Sequence, residues 1–184
     1  MTPWQLRQAI RIIQSGGIIA YPTEAVYGLG CDPLNWGAVE TIYLLKNRNP
    51  DKGLILIASS TAQIEPYINI TPAQRQQLGK RLARPVTWVV PASVHCPHWL
   101  TGNQTGVAVR ITRHPAARAL CRAAGHPLVS TSANISQRNA ARTALDVRRI
   151  FRSDVDRIIH GATGQRTNPS EICDMTSGKI LRPD

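Results

Sequence analysis

The sequence has no long hydrophobic run. No stretch of its 184 residues approaches 18 uninterrupted apolar positions, so we expect no transmembrane helix. The first seven residues also lack the basic start and apolar block of a secretory signal. These absences predict a cytoplasmic protein with no membrane association, and the length suits one well-buried domain over residues 1–184 better than two.

Acidic residues are scarce. Asp and Glu number 11 against 22 Lys and Arg, which gives a formal net charge of +11 and a pI near 10.4. Such a balance favours polyanionic partners, namely nucleotides, RNA or acidic metabolites. Aromatic residues make up only 5 % of the chain, which is few for a surface that stacks the bases of single-stranded RNA.

Paired cysteines are also missing. The four cysteines, Cys31, Cys96, Cys121 and Cys173, are widely scattered and form no CxxC pair. A structural zinc site therefore has no supporting spacing, and a cytoplasmic location argues against disulfides. The run 95–98 (His-Cys-Pro-His) has no second pair of ligands at a recognisable spacing, so we predict no metal site.

Three familiar motifs are absent. There is no GxxxxGK[ST] phosphate-binding loop, and Gly28 and Gly30 lack the third glycine of a dinucleotide fingerprint. No GxSxG elbow surrounds a serine, so a Ser-His-acid hydrolase has little support. Any anion site must therefore consist of side chains together with local backbone N–H groups.

Helical and strand patterns alternate along the chain, which predicts an α/β domain with a largely buried sheet. Helices are predicted to begin after Thr2, Thr71, His114 and Thr143, and the one after Thr71 is predicted to run to about Leu82. A further helix is predicted from Trp36 to Lys46. Strands are predicted over residues 18–21, 54–58, 86–90, 107–111, 128–130, 157–160, 171–173 and 179–181. Residues 22–33, between the first strand and the second helix, are predicted to form a loop.

A cluster of cations, Lys46, Arg48 and Lys52, spans a predicted loop that contains Pro50 and ends at Gly53. Three cations beside a core strand can bind an anion, although a charge cluster alone is more often a solvated basic loop. The residues elsewhere in the chain have to decide between these two interpretations.

Three further places carry suitable groups. Thr23 follows a strand, in a loop whose glycines could simply serve its turns. The segment Ser130-Thr-Ser-Ala-Asn134 places hydroxyls and an amide just beyond another strand, where ligands bind in open α/β sheets but where Ser and Asn also cap turns. Arg110 lies inside an apolar strand, so it should have an anionic partner or face a cleft.

Together these segments resemble the YrdC/TsaC family of threonylcarbamoyl-AMP synthases, in its short bacterial form without a C-terminal extension. The resemblance is carried by Tyr21-Pro-Thr-Glu-Ala-Val-Tyr-Gly-Leu-Gly30, by Lys46-x-Arg48 with Lys52, by Ser130-Thr-Ser-Ala-Asn134, and by Ala108-Val-Arg110 and Asn168-Pro-Ser170. It covers almost the whole chain in the family's order, and the combination is far more specific than any one segment.

The resemblance implies a twisted open mixed sheet flanked by helices, with a basic concave groove. It also implies synthesis of L-threonylcarbamoyladenylate from L-threonine, bicarbonate and ATP with release of diphosphate. The product would pass to tRNA-modifying threonylcarbamoyl transferase proteins that make N6-threonylcarbamoyladenosine next to the anticodon. ATP would bring Mg2+, with no tightly bound cofactor and no dedicated metal cage, and weak binding of RNA or tRNA is expected.

The resemblance further implies roles for individual residues. Catalysis is assigned to the cations Lys46, Arg48 and Lys52, and threonine and bicarbonate binding to Thr23, Arg110 and Ser132. The same three cations and Ser132 are also assigned to nucleotide binding, together with Asn134, Arg142, Ser170 and Arg182.

One position departs from the family pattern. Where the family usually has Pro-Gly-Pro-x-Thr, this chain has Ala83-Arg-Pro-Val-Thr87, so Arg84 replaces a glycine. Arg84 could block a ligand, add a contact to an anion or face solvent. Two other functions fit the charge: a non-catalytic RNA-binding or ribosome-maturation factor that uses the same groove, and a carbamoyl-handling enzyme with another amine acceptor.

Overall fold

The computed structural model describes residues 1–80, 84–164, 166, 168 and 170–183. The helices are α1 Pro3–Gln14, α2 Trp36–Lys46, α3 Pro72–Gly79, α4 His98–Thr101, α5 Pro115–Ala124 and α6 Ala144–Phe151. The strands are β1 Ile19–Pro22, β2 Tyr27–Gly30, β3 Ile55–Ala58, β4 Val86–Pro91, β5 Gly106–Ile111, β6 Leu128–Ser132, β7 Arg157–Ile158, β8 Glu171–Asp174 and β9 Ile180–Arg182. None of the helices in the described ranges has the length and apolar character needed to cross a membrane.

The predicted helix starts are confirmed, and their local causes are visible. Thr2, Thr71 and Thr143 each accept a hydrogen bond from the third backbone N–H of the following helix, and in each case that residue's side chain closes a capping box. Helix α2 has the predicted bounds, since Asn35 caps its start and Asn47 adopts a left-handed conformation at its end. Helix α3 is shorter than predicted, because it ends at Gly79 and Lys80 is no longer helical. The predicted end at Leu82 itself lies outside the described residues.

The strands form one mixed sheet in the order β7-β1-β2-β6-β3-β5-β4-β8-β9. The pairs β1–β7, β3–β5 and β4–β8 are parallel, and the other neighbours are antiparallel. The open order confirms the predicted α/β class with a mixed sheet.

Helices cover both faces of this sheet. Ile57 of β3 and its partner Leu128 of β6 pack in a cluster with the buried residues of α1 and α5. Their neighbours Leu56 and Val129 point the other way and pack with α2 and α6. The period of two along each strand thus gives the central strands one apolar side for each helical layer.

The prediction that residues 22–33 form only a loop was wrong. Residues Tyr27–Gly30 are strand β2, which forms a hairpin with β1 and pairs with β6 on its other side. The sequence pattern does not indicate this strand, because glycine has a low strand propensity. Glycine is nevertheless required at position 30, because a Cβ atom on Gly30 would lie 2.5 Å from the Val129 carbonyl oxygen and 2.8 Å from Cε1 of Tyr21.

Two smaller differences concern the candidate site. Strand β6 continues two residues past its predicted end at Ser130, so Thr131 and Ser132 lie within the strand and not beyond it. The cationic segment is more regular than a loop, because Pro50–Lys52 form a turn of 3-10 helix. The predicted strand at 157–160 is shorter and ends at Ile158.

We predict that Gly30→Ala destabilises the fold by about 3 kcal/mol, because the added methyl group forces β2 away from β6. The free energy of unfolding in urea measures this effect. Gly37→Ala is the matched control: its Cβ atom meets only Oδ1 of Asn35 at 3.6 Å, so the change should be neutral or slightly stabilising. Equal stabilities of the two variants would contradict the packing constraint at Gly30.

Candidate active site

A cavity of about 360 Å³ lies on the sheet face that α1 and α5 cover only at one end. Paired residues on neighbouring strands share a face, so the strand register identifies its floor. Ile55 of β3 is opposite Ser130 of β6 and Ala108 of β5, and Gly28 of β2 is opposite Ser132. All five line the cavity. The sheet therefore brings together residues that are far apart in the sequence.

The turn that carries Lys52 is fixed against the end of α4. Asn49 caps it by accepting a hydrogen bond from the Asp51 N–H at 2.9 Å. Gly53 has a φ of +57°, and a Cβ atom there would lie 2.7 Å from the carbonyl oxygens of Leu100 and Thr101. Only glycine allows this approach of two backbones. The turn therefore holds the backbone of Lys52 in place while its exposed side chain lines the cavity.

Arg48 also lines the cavity, and the same turn orients it. Its Nε and Nη2 atoms donate to the Gly53 carbonyl oxygen at 3.2 and 2.8 Å. Burial lowers the pKa of this guanidinium from its ordinary value, although an arginine stays charged at neutral pH. Arg48 therefore presents a fixed positive charge to the cavity.

Lys46 has a different environment from the other two cations. It is the last residue of α2, its side chain is only 2 % exposed, and it is not among the residues that line the cavity. Its ammonium group donates to the carbonyl oxygens of Ser132 and Asn134 and, at 3.2 Å, to Oδ1 of Asn134. Burial and, to a lesser extent, Arg48 lower its pKa to about 8. These three acceptors match the three donors of a lysine, so Lys46 holds the end of β6 in place.

The end of β6 separates two cavities. The Ser132 hydroxyl donates to Oδ1 of Asn134 at 2.6 Å, and the amide nitrogen of Asn134 donates to the carbonyl oxygens of Ile135 and Arg138. Ser132 lines the first cavity and also an adjoining, more open one of about 820 Å³, which Asn134 and Arg142 line as well. The turn therefore offers polar groups to a ligand that occupies both.

Arg110 has the anionic partner that its position in an apolar strand predicted. It is 9 % exposed, and its Nη2 atom lies 3.5 Å from Oε2 of Glu24. Its Nη1 atom donates to the Ser170 hydroxyl at 3.0 Å, and that hydroxyl lies 2.8 Å from Oγ1 of Thr87. Arg110 also lines the cavity, which confirms both parts of the prediction.

Glu24 is a lining residue that sequence reasoning left out of the site. Its Oε1 atom accepts hydrogen bonds from the Thr112 hydroxyl at 2.8 Å and from the N–H groups of Arg113 and His114 at 3.1 and 3.3 Å. Burial opposes ionisation of this carboxyl group, but Arg110 and these donors outweigh it and lower its pKa to about 2. The sequence could have indicated Glu24, because a buried Arg110 requires a carboxylate partner and the chain has few carboxylates.

The remaining predicted residues lie around this pair. Thr23 forms the β1–β2 turn, where its N–H and its hydroxyl both donate to the Val26 carbonyl oxygen. Arg182 donates to the Ser170 carbonyl oxygen at 2.7 Å from the edge strand β9. Burial lowers the pKa of Arg182, and so do the positive charges of Arg110 and Arg48. The cations of the cavity are thus close enough to repel one another.

The structure therefore brings together most of the predicted residues and separates three from the rest. Those that line the first cavity are Thr23, Arg48, Lys52, Arg110, Ser132, Ser170 and Arg182. Asn134 and Arg142 line the adjoining cavity, and Lys46 lies buried behind β6. Within the described ranges, no three His, Cys, Asp or Glu side chains are grouped as metal ligands would be.

Arg84 does not line the first cavity, although its neighbour Pro85 does. It is exposed and lines a separate cavity on the other side of Glu24. Of the motif segments, Ala83 and Pro169 lie outside the described residues. The side chain of Arg84 is therefore not part of the wall of the first cavity.

The low pKa of Glu24 predicts a pH dependence of stability. A carboxyl group with a lower pKa in the folded state stabilises the fold above its ordinary value of 4.5, and that contribution disappears as the pH falls towards 2. Wild type should therefore lose about 3 kcal/mol more than Glu24→Gln between pH 5 and pH 2.

Unfolding in urea at a series of pH values tests this prediction. The exposed Glu40 of α2 offers the matched control, and Glu40→Gln should follow wild type across the whole range. If the difference between wild type and Glu24→Gln is constant with pH, the carboxylate is not held by Arg110 and its hydrogen bonds.

Comparison with known proteins identifies the family of the chain. The chain is 47 % identical to a threonylcarbamoyl-AMP synthase of Cellvibrio japonicus over the full length of both chains, and 50 % identical to one of Nitrosococcus oceani over 97 % of each. The crystal structure of P. abyssi Sua5 complexed with L-threonine superposes with a TM-score of 0.92 at 34 % identity, covering all of this chain and 55 % of that one. The model of the Sua5, YciO and YrdC family, described as telomere recombination, matches residues 11–183, and the chain belongs to this family.

Proposed function

We propose that this protein is an L-threonylcarbamoyladenylate synthase, which joins L-threonine, bicarbonate and ATP and releases diphosphate. The observation that supports it best is the charge of the cavity. Arg48, Lys52, Arg110, Arg166 and Arg182 line it, against one carboxylate, Glu24, among the described residues. Relatives named for this activity cover nearly the whole chain at close to half identity.

The reaction requires the protein mainly to position charged groups. The amine of threonine combines with CO2 from bicarbonate to form a carbamate. A carbamate oxygen then attacks the α-phosphorus of ATP, and the bond from that phosphorus to the diphosphate breaks. No protein nucleophile takes part in this scheme, so orientation and stabilisation of negative charge account for most of the acceleration. The cavity offers both, because its hydroxyls and guanidinium groups are fixed by hydrogen bonds.

Threonine and bicarbonate fit the end of the cavity near Thr23 and Arg110. Arg110 presents a guanidinium group that Glu24 and Ser170 hold in one orientation, which suits a planar carboxylate or carbamate. The relative from P. abyssi was crystallised with L-threonine, so a structure of this fold accommodates that amino acid. Ser132 lies across the sheet at the other side of the floor.

The phosphates of ATP fit the cations Arg48, Lys52 and Arg182, and the rest of the nucleotide extends past Ser132 towards Asn134 and Arg142. Repulsion between Arg182, Arg110 and Arg48 favours any anion that enters. Lys46 contributes indirectly, because it fixes the carbonyl groups of residues 132 and 134. In this proposal Lys46 positions the turn and does not contact the triphosphate.

Mg2+ would arrive with ATP, held by the phosphate groups. Glu24, the carboxylate of the cavity, already accepts three hydrogen bonds and pairs with Arg110, so it is not available as a metal ligand. We also propose that residues 1–184 act as one domain in the cytoplasm. The product would go to tRNA-modifying threonylcarbamoyl transferases, with weak contact to tRNA at most.

We predict that the purified protein releases diphosphate from ATP only when both threonine and bicarbonate are present. Mass spectrometry should detect L-threonylcarbamoyladenylate in the same mixture. Reactions without threonine, and with alanine in its place, are the controls. Diphosphate release that is independent of threonine and bicarbonate would refute the synthase, and absence of release combined with RNA binding would favour the RNA-binding factor.

We also predict that Lys52→Ala lowers kcat/KM by about 100-fold or more, because a cation is lost where charge develops on the departing diphosphate. Its stability should change by less than about 0.5 kcal/mol, since the side chain is exposed. The steady-state rate of diphosphate release and unfolding in urea measure the two effects. Lys179→Ala, an exposed cation away from the cavity, should leave both unchanged. Full activity of Lys52→Ala would remove Lys52 from the site.

A further inference from the structure

Thr87 of β4 is a completely buried polar residue beside the candidate active site. Its exposed fraction is 0 %, and it is not among the residues that line the cavity. Its hydroxyl oxygen lies 2.8 Å from Oγ of Ser170, and Ser170 does line the cavity. A ligand in the cavity therefore contacts Ser170, and Thr87 acts on that ligand only through the serine.

The hydrogen bonds of Ser170 determine the direction of its own proton. A serine hydroxyl can accept two hydrogen bonds and donate one. Arg110 occupies one acceptor position, because its Nη1 atom donates to Oγ of Ser170 at 3.0 Å and a guanidinium group cannot accept. In the contact between Thr87 and Ser170, by contrast, either hydroxyl can be the donor.

The burial of Thr87 decides between these two directions. In the part of the chain that the structure describes, Ser170 is the one hydrogen-bond partner of the Thr87 hydroxyl. If Ser170 donated to Thr87, the proton of Thr87 would have no acceptor at a position that water does not reach. A buried donor without a partner is costly. Thr87 is therefore the donor, and Ser170 accepts from it.

Ser170 is left with one free hydrogen-bonding function, its own O–H. Both of its acceptor positions are filled, one by Arg110 and the other by Thr87. Because Ser170 lines the cavity, this O–H is available to a ligand there. The guanidinium group of Arg110 lies beside it and also lines the cavity. Two adjacent donors, one of them charged, suit an oxyanion and disfavour a ligand group that itself donates.

We propose that Thr87 is a positioning residue, which fixes Ser170 as a hydrogen-bond donor to an oxyanion of the substrates. The oxyanion is the carboxylate of threonine or a phosphate group of ATP, since both present charged acceptor oxygens. The identity of these ligands rests on the proposed function, whereas the direction of the hydrogen bonds follows from the burial of Thr87. Because the donor is oriented in the folded protein, binding requires no reorientation of Ser170.

Three variants test the role of the Thr87 hydroxyl. Thr87→Val removes the hydroxyl but keeps the volume and the β-branched shape that suit a strand. Thr87→Ser keeps the hydroxyl and tests for rescue. Thr41→Val is the matched control, because the Thr41 hydroxyl donates to the Gly37 carbonyl oxygen on the exposed side of α2, outside the cavity. The melting temperature shows that each variant is folded.

Calorimetric titration with L-threonine and, separately, with diphosphate measures affinity without turnover. Thr87→Val should weaken the binding of at least one of them by about 5-fold, because Ser170 is no longer held as a donor. The ligand that is affected identifies the oxyanion. Thr87→Ser should restore the affinity, and Thr41→Val should leave both affinities unchanged. In turnover, Thr87→Val should raise the KM of threonine or of ATP more than it lowers kcat.

Ser170→Ala separates positioning from a purely structural role of Thr87. Alone it should weaken the same ligand more than Thr87→Val does. Adding Thr87→Val to it should then change the affinity by less than about 2-fold, because the hydroxyl that Thr87 orients is already absent. The proposal is overturned if Thr87→Val weakens binding equally with and without Ser170, since Thr87 would then act through strand β4. It is also overturned if Thr87→Val binds both ligands as wild type does.

Threonine-dependent diphosphate release is measured separately on wild type. Turnover by wild type combined with unchanged ligand binding by Thr87→Val refutes only the positioning role of Thr87. Weaker binding by Thr87→Val combined with an absence of turnover in wild type refutes only the synthase.

Discussion

The ion pair between Glu24 and Arg110 holds the two sides of the candidate site together. An arginine in the middle of a sheet is tolerable only with a partner, because an isolated buried charge costs more free energy than a single contact returns. Glu24 comes from the β1–β2 turn and Arg110 from β5, so the pair joins parts of the chain between which β6 and β3 lie in the sheet. It also attaches the turn after β5, whose N–H groups donate to the same carboxylate.

That constraint explains why the cavity stays open. The sheet face beyond Ile57 and Leu128 could have been covered by another helix, as α1 and α5 cover its other end. Instead it carries a buried guanidinium group and hydroxyls, which an apolar helix could not satisfy. Repulsion among Arg48, Arg110 and Arg182 adds a reason for an anion to complete this face. This part of the sheet face is thus open to a ligand and not covered by a helix.

The sequence was most informative where a structure depends on neighbouring residues. Helix α2 was predicted from end to end because Asn35 and Asn47 determine its limits locally. Strand β2 was missed because glycine is required at Gly30 by contacts with Val129 and Tyr21, which no local pattern contains. Lys46 illustrates the same limit within the site. Its spacing from Arg48 and Lys52 indicated one cluster of cations, but its partners lie 86 and 88 positions away, and only the fold shows that it supports a turn. The fold class and most of the residues that line the cavity could therefore be predicted, while the separate roles of Lys46, Arg48 and Lys52 could not.

The close contact between the turn of Lys52 and the end of α4 has an evolutionary consequence. Gly53 faces the carbonyl oxygens of Leu100 and Thr101, and Gly102, with a φ of +60°, faces those of Pro50 and Asp51. Each glycine makes room for the other's turn, so the two positions form one unit although they lie 49 positions apart in the sequence. A side chain at either position would push the same two turns apart, and a second one would add little further damage. Drift at these positions should therefore be correlated, and it would reach the active site through the backbone without altering any charged group.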